Sequence, residues 1–247
     1  MSALAALTVT ESKLFRRDGM SLFFGLIFPP LLFLALGALI PGFLDPNDDL
    51  GGLRLVDLYL PIVIGLALAT LALSTLPTYL ATYREKGVLR RLATTPVRPA
   101  TLLEAQLLLN VVVAVIAVAV TIALAVIVFD VDAPGNAVGF LLAFVLTAAA
   151  MFSVGLLIAA VSPRATVASG IGMAVYFPSL FFAGVYFPRD AMSDTLRAVS
   201  DATPIGSGVQ ALQDALAGDW PQPLNLAILV AWTVAAGLLA ARVFRWE

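Results

Sequence analysis

The sequence predicts an all-α membrane protein with six transmembrane helices and both termini on the cytoplasmic side. Of the 247 residues, 61% are hydrophobic and 12% are charged, and the mean hydropathy is +0.99. Soluble domains are typically about 45–50% apolar and about 25% charged. Because lipid offers the backbone no hydrogen-bond partners, apolar segments of this composition are expected to span the membrane as helices.

Six segments with little or no charge are long enough to cross the apolar core of a bilayer, which takes about 20 helical residues. They predict spans at residues 19–44, 58–83, 100–129, 137–161, 165–188 and 222–241, all within a single transmembrane domain, 1–247. Prolines inside these spans are expected to kink or end local helical turns; they are Pro29, Pro30, Pro61, Pro77 and Pro178. The middle of each predicted span lacks charged residues, which argues against an ion-coupled transporter or a proton channel.

The distribution of basic residues predicts the orientation. With the N-terminus inside, only Arg54, Arg189 and Arg197 of the 14 Lys and Arg residues lie outside. Cytoplasmic loops carry the excess of Lys and Arg in membrane proteins. Both termini are therefore expected in the cytoplasm, and the chain is expected in the cell inner (plasma) membrane as a multi-pass protein.

Several kinds of chemistry are excluded by composition. The chain contains no His and no Cys, which removes disulfides, thiol catalysis and the commonest metal ligands. The net charge of −2 argues against general nucleic-acid binding. Ser153, Ser169 and Ser179 lie in spans, where Ser commonly bonds to its own helix backbone. No catalytic residue and no metal site are predicted.

A short amphipathic helix is predicted at the N-terminus, within residues 1–18. Leu7, Leu14 and Phe15 supply its apolar contacts. The polar and charged residues Glu11, Lys13, Arg16 and Arg17 would meet lipid headgroups or a partner. The alternative is a frayed helix start whose charges serve only to orient the chain.

A basic segment between two spans, Tyr83–Pro99, carries five of the 14 Lys and Arg residues. Within it, residues 84–96 predict a short helix parallel to the membrane, with Val88, Leu89 and Leu92 on one side. Pro96 is expected to end that helix because the residue before a proline is driven out of helical geometry. The alternative is a basic loop without a partner.

The polar outer segment 189–219 predicts two short helices before the last span. Ile205, Val209, Leu212 and Leu216 recur at helical spacing, and Thr203-Pro204 has the pattern of a helix N-cap. The segment is either a helical lid that dips partly into the membrane or an ordinary outer loop packed on the bundle.

An aromatic run precedes this outer segment along the chain. Phe177, Phe181 and Phe182 either belong to an interfacial aromatic belt or line a path for an apolar substrate.

Two motifs and the six-span layout resemble a known family. The segment YREKGVLRRLATTPVRPATLLEAQLL (83–108) and the segment FFAGVYFPRDAMSDTLRAVSDATPIGSGVQALQDAL (181–216) are similar to the membrane subunit of an ABC-2 type ABC exporter, of the small bacterial permeases in the daunorubicin and multidrug resistance group. The chain departs from the family pattern at Thr203-Pro204, where Asn-Pro is common, and at Gln213-Asp214, where a basic residue is frequent.

The resemblance implies that residues 84–96 form a coupling helix, which docks on a separate cytoplasmic ABC ATPase subunit. The positions carried over to this role are Arg84, Glu85, Lys86, Gly87, Leu89, Arg90, Arg91 and Pro96. It also implies a second permease copy or a close paralogue, with the substrate path between the two permeases.

No phosphate-binding motif G-x-x-x-x-G-K-[ST] occurs in the chain. The chain is therefore expected to be a non-enzymatic subunit that binds no cofactor, with ATP and Mg²⁺ held by the partner ATPase.

The leading functional hypothesis is ATP-driven export of a hydrophobic or amphipathic compound, such as a drug or secondary metabolite. Export of a lipid or lipid-linked glycan is the alternative within the same class. An ion-coupled secondary transporter would need charges or broken polar helices within the spans. An intramembrane enzyme would need a catalytic cluster, and a membrane scaffold without transport is the remaining class.

Overall fold

The computed structural model describes residues 3–47, 52–88, 91, 100–186, 189 and 192–244. These residues form helices and no named strand. The helices are α1 (Ala3–Arg17), α2 (Gly19–Leu39), α3 (Leu55–Glu85), α4 (Ala100–Phe129), α5 (Ala137–Val161), α6 (Ala165–Ala183), α7 (Asp194–Ala202), α8 (Pro204–Leu216) and α9 (Pro223–Val243).

The predicted fold class is confirmed, since six helices of the described chain are long and apolar enough to cross a membrane: α2, α3, α4, α5, α6 and α9. Two of them end earlier than the uncharged segments suggested. Helix α2 stops at Leu39 because Ile40 is extended and Pro41-Gly42 turns the chain, with Gly42 at φ +72°. Helix α6 stops at Ala183 because Gly184 adopts the left-handed conformation typical of a helix C-cap.

Helix α3 is the central element of the bundle. In its most apolar part 83% of the residues are buried, against 22% in α2, 17% in α6 and 22% in α9. The other spans surround α3 and leave apolar side chains such as Leu31, Phe177 and Leu238 exposed. Exposed apolar side chains on the outside of a helical bundle suit contact with lipid.

Two glycines let neighbouring helices approach the backbone of α3. A Cβ on Gly155 of α5 would lie 2.0 Å from the carbonyl oxygen of Ala72, and one on Gly172 of α6 would lie 2.3 Å from that of Leu73. Small residues allow such close helix packing in membranes. Both contacts fall in a π-helical turn of α3, Thr70–Thr75.

Prolines account for the irregular turns in α2 and α3. A π-helical turn, Phe23–Ile27, comes just before Pro29-Pro30, and the turn Thr70–Thr75 comes just before Pro77. Proline has no backbone N–H and its ring displaces the preceding turn, which the wider π turn accommodates. Pro61 and Pro178 lie inside α3 and α6 without ending them.

Helix α8 is part of the bundle core. Ile205, Val209 and Leu212 are buried, and α8 packs against α3, α5, α6 and α9. Gly208 faces the side chain of Thr147 so closely that a Cβ would lie 2.4 Å from it. The N-cap predicted at Thr203 is confirmed, because its Oγ1 accepts a hydrogen bond from the backbone N–H of Gly206 at 3.1 Å.

Candidate functional site

The last turn of α3, Tyr83–Glu85, stands where the basic segment begins and binds to elements on two sides. The Tyr83 hydroxyl donates to Oε2 of Glu11 in α1 at 2.6 Å. Gln106 of α4 donates to the same carboxylate oxygen at 2.5 Å. Three helices are therefore joined at a single carboxylate oxygen.

Burial of Glu11 raises the pKa of its carboxyl above the usual value, although the hydrogen bonds from Tyr83 and Gln106 act in the opposite direction. Removal from water disfavours the charged form of an acid. Glu11 is 5% exposed and has no salt bridge among the described residues. The chain thus keeps a titratable group in the contact between α1 and the spans.

Asp18 makes a second polar contact between the N-terminal region and α3. Its carboxylate caps α2 through the backbone N–H groups of Met20 and Ser21, and it accepts the Tyr79 hydroxyl at 2.6 Å. The Tyr79 hydrogen bond is the main reason that the pKa of Asp18 is lowered, since it stabilises the ionised form.

Arg84 binds the ends of two other spans. Its Nη1 donates to the carbonyl oxygens of Ala159 at 2.9 Å and Ser162 at 2.6 Å, where α5 ends. Its guanidinium carbon also lies 4.9 Å from the ring centroid of Phe244, just after α9. A cation near the last carbonyl groups of a helix is favoured by the helix dipole.

Glu85 binds the start of α6, which follows α5 along the chain and forms a helical hairpin with it. Its Oε2 accepts the backbone N–H of Ala165 at 3.1 Å, in the first turn of α6. A carboxylate near a helix N-terminus satisfies a backbone donor and matches the dipole. Arg84 and Glu85 together therefore hold both sides of the α5–α6 turn.

The predicted helix 84–96 begins inside α3, because Arg84 and Glu85 continue that helix to its end. Lys86 then caps it and Gly87 turns the chain at φ +66°, a conformation that glycine adopts without strain. Lys86 and Arg91 are exposed. Leu89, Arg90 and Pro96 lie outside the described residues.

Helix α1 contacts the bundle through one side. Phe15 is buried, and its ring approaches Gly25 of α2, where an added Cβ would lie 3.5 Å from it. Arg16 and Arg17 are exposed in the last turn of α1. Of the three residues predicted to make apolar contacts, Phe15 is buried, Leu7 is half-buried and Leu14 is exposed.

A polar groove of about 450 Å³ lies between α2, α3 and α6. Its α3 side carries Thr70, Ser74, Thr78 and Thr82, which are spaced four residues apart and so share one helix face. The remaining lining residues include Ser21, Ser169, Phe24 and Met173. This row of hydroxyl groups was not identified from the sequence, although its four-residue spacing is visible there.

The predicted aromatic residues follow Ser169 and Met173 along α6 but do not line this groove. Phe177 is exposed, whereas Phe181 and Phe182 are half-buried. Their neighbour Tyr176 places its hydroxyl 3.0 Å from Oγ1 of Thr70. Tyr176 thus connects the aromatic run to the polar face of α3.

Arg189 links the outer helices α7 and α8 to the end of α6 through hydrogen bonds. Its guanidinium is buried and bonds to Ser200 at 2.5 Å, to the carbonyl oxygen of Gly206 at 2.9 Å and to the carboxylate of Asp201. Ser200 in turn donates to the carbonyl oxygen of Phe182 at 2.7 Å. Sequence reasoning treated Arg189 only as an outside charge.

The described residues contain no group of three or more His, Cys, Asp or Glu that could hold a metal ion. Six apolar spans, five of which surround the central helix α3, define a multi-pass membrane protein.

Residues 2–217 match the family model of the ABC-2 type transporter, and the chain belongs to that family as a permease. Permeases of this family act with a partner ATPase subunit. A comparison with curated proteins found no match.

Proposed function

We propose that this permease is the transmembrane subunit of an ATP-driven exporter of a hydrophobic or amphipathic compound. The observation that carries the proposal is the end of α3, where exposed Lys86 and Arg91 follow a turn that is bonded to α1, α4 and the α5–α6 hairpin. A force applied at the basic segment would therefore reach most of the bundle. The energy comes from a separate ATPase subunit, which holds ATP and Mg²⁺.

The polar groove supports a complex with two permease copies. Partly exposed hydroxyl groups on the outside of a bundle are poorly matched to lipid, even where Thr78 and Thr82 bond to their own helix. A second copy, or a close paralogue, would cover the groove and place its hydroxyls along a path between the subunits. Phe177 does not line the groove but is exposed further along α6, where an apolar part of the cargo would meet it.

The lining of the groove fits an amphipathic cargo. Ser and Thr hydroxyls offer hydrogen bonds, while Met20, Phe24 and Met173 offer apolar contact. A drug or secondary metabolite with both kinds of surface suits this lining. Both termini and the basic segment lie in the cytoplasm in this proposal, and the chain resides in the inner (plasma) membrane.

The direct test is purification of the tagged, detergent-solubilised permease from its native cells, followed by identification of the proteins that accompany it. A stoichiometric ATPase with a phosphate-binding loop is the expected result. Reconstitution of that pair into liposomes should then give ATP-dependent movement of amphipathic fluorescent drugs out of the compartment that holds the permease termini. Recovery of the permease without any ATPase, even after mild cross-linking, would refute the proposal.

The contact with the ATPase can be tested by reversing one exposed charge. Arg91→Glu is expected to reduce ATPase co-purification because the side chain would repel acidic residues on the partner. Arg242→Glu is the matched control, since Arg242 is an exposed arginine in the last turn of α9. Equal co-purification of both variants with the unmodified level would count against the basic segment as the docking site.

A further inference from the structure

We propose that Arg84 and Glu85 are positioning residues inside the permease, which transmit movement of the basic segment to the α5–α6 hairpin. Together with Tyr83 they form what we call the α3 clamp, residues 83–85. This inference rests on the proposed function, because it assigns the clamp to transmission and leaves docking to the exposed residues that follow.

The geometry of a helix end explains how three consecutive residues reach so many partners. Successive side chains on an α-helix point about 100° apart, so residues 83–85 cover more than half of the circumference. Tyr83 bonds towards α1 and α4, whereas Arg84 and Glu85 bond towards α5 and α6. The clamp therefore holds elements on opposite sides of α3.

The bonds of Arg84 and Glu85 are of the stronger kind. Each involves an ionised side chain and a backbone group at a helix terminus, and charge-assisted hydrogen bonds are roughly twice as strong as neutral ones. Arg84 donates hydrogen bonds to two carbonyl oxygens at the end of α5, and Glu85 accepts one from a backbone N–H at the start of α6. The hairpin is thus bonded at both of its sides to one turn of α3.

The position of the clamp along the chain assigns its role. Gly87 turns the chain directly after it, and the exposed basic residues begin there. Arg84 is half-buried and Glu85, like Lys86, is exposed, but Arg84 and Glu85 direct their charged groups to backbone atoms of the α5–α6 hairpin. A displacement of the basic segment would consequently pull the α5–α6 hairpin, and α6 carries Ser169 and Met173 of the polar groove.

The first arm of the test measures the clamp without any ATPase. The full-length permease, which has no native cysteine, is spin-labelled at Lys86→Cys and Thr166→Cys, two exposed positions on either side of the contact, and studied in nanodiscs by pulsed EPR. We expect a narrow distance distribution that at least doubles in width in Glu85→Ala. The matched control Glu104→Ala removes an exposed carboxylate near the start of α4, at the end of the bundle where α3 ends. It should leave the distribution unchanged. An unchanged distribution in Glu85→Ala would overturn the clamp.

The second arm separates transmission from docking in the permease–ATPase complex. Glu85→Ala is expected to co-purify with the ATPase at the unmodified level but to lower substrate-stimulated ATP hydrolysis roughly fivefold to tenfold, which is the scale of one typical intramolecular hydrogen bond. Arg84→Lys keeps the charge but loses the paired geometry. Its rate of substrate-stimulated ATP hydrolysis should lie between those of the unmodified permease and Glu85→Ala. A proportional loss of ATPase binding in Glu85→Ala would overturn the inference, because it would place Glu85 in the docking surface. Failure of the unmodified permease to bind any ATPase would refute the proposed function alone, and the distance measurement would still decide the clamp.

Discussion

At the residue scale, Glu11 shows how a single carboxyl is held by its surroundings. Its Oε2 accepts hydrogen bonds from two helices, yet burial still raises its pKa. The sequence pattern predicted that Glu11 of the N-terminal amphipathic helix faces lipid headgroups or a partner. The structure buries it instead, because Phe15 one turn later also faces the bundle.

The raised pKa of Glu11 predicts a pH-dependent stability. The folded protein holds the proton more tightly than the unfolded chain does, so the contribution of Glu11 is complete below its ordinary pKa of 4.5 and is lost as pH rises through the raised value. Glu11→Gln cannot ionise, so its melting temperature relative to the unmodified permease should rise between pH 4.5 and pH 8. Thermal unfolding in detergent, followed by tryptophan fluorescence, measures this. A difference that does not depend on pH would contradict the prediction.

The two salt bridges of the described residues predict contrasting effects. The side chains of Arg189 and Asp201 are 4% and 34% exposed, whereas those of Arg54 and Asp57 are 29% and 33% exposed. Removal of the buried Arg189 guanidinium also takes a hydrogen bond from Ser200 and from the carbonyl oxygen of Gly206. A buried polar group left without its partner costs about 1–3 kcal/mol, while exposed pairs contribute about 0–1 kcal/mol. Arg189→Gln should therefore lower the melting temperature far more than Arg54→Gln does. Similar shifts for the two variants would show that the outer helices do not depend on Arg189.

At the element scale, packing against the backbone of α3 determines how the helices fit together. Gly155 and Gly172 meet carbonyl oxygens of the π-helical turn directly, so this turn is enclosed by α5 and α6. The turn exists because Pro77 follows it, and the sequence already indicated a disturbed helix at that proline. The identity of the glycines that pack there depends on which faces of α5 and α6 meet α3.

A pair of glycines on α6 provides a matched test of this packing. Gly172→Ala would place a Cβ 2.3 Å from the carbonyl oxygen of Leu73, whereas Gly170→Ala meets no atom within 4 Å. We expect Gly172→Ala to lower stability by about 1–3 kcal/mol through overpacking. Gly170→Ala should be neutral or slightly stabilising, since alanine favours helix. The comparison of the two melting temperatures tests this, and equal values would argue against close contact between α6 and α3.

At the scale of the whole molecule, the orientation proposed from basic residues can be tested with thiols introduced at the two ends of the bundle. The exposed residues Lys86 and Thr166 lie by their helix connections at one end of the bundle, and Asp194 lies at the other. The absence of native cysteine means that a single introduced thiol can be assigned without background.

Whole-cell labelling with a membrane-impermeant maleimide tests this orientation. Asp194→Cys should react on intact cells, because the outer helices face outside. Lys86→Cys and Thr166→Cys should react only after the cells are permeabilised. The reverse pattern would place both termini outside.

The sequence by itself determined the fold class and the number of spans, because long apolar segments and satisfaction of the backbone in lipid leave few other structures. It also located the Thr203 cap, which depends on neighbouring residues only. Contacts between distant segments were decided by the tertiary structure. The burial of Glu11 and α8, the carbonyl groups bound by Arg84 and the groove beside α3 all depend on which helix faces meet, and hydrophobic periodicity is weak in helices that are apolar on every side.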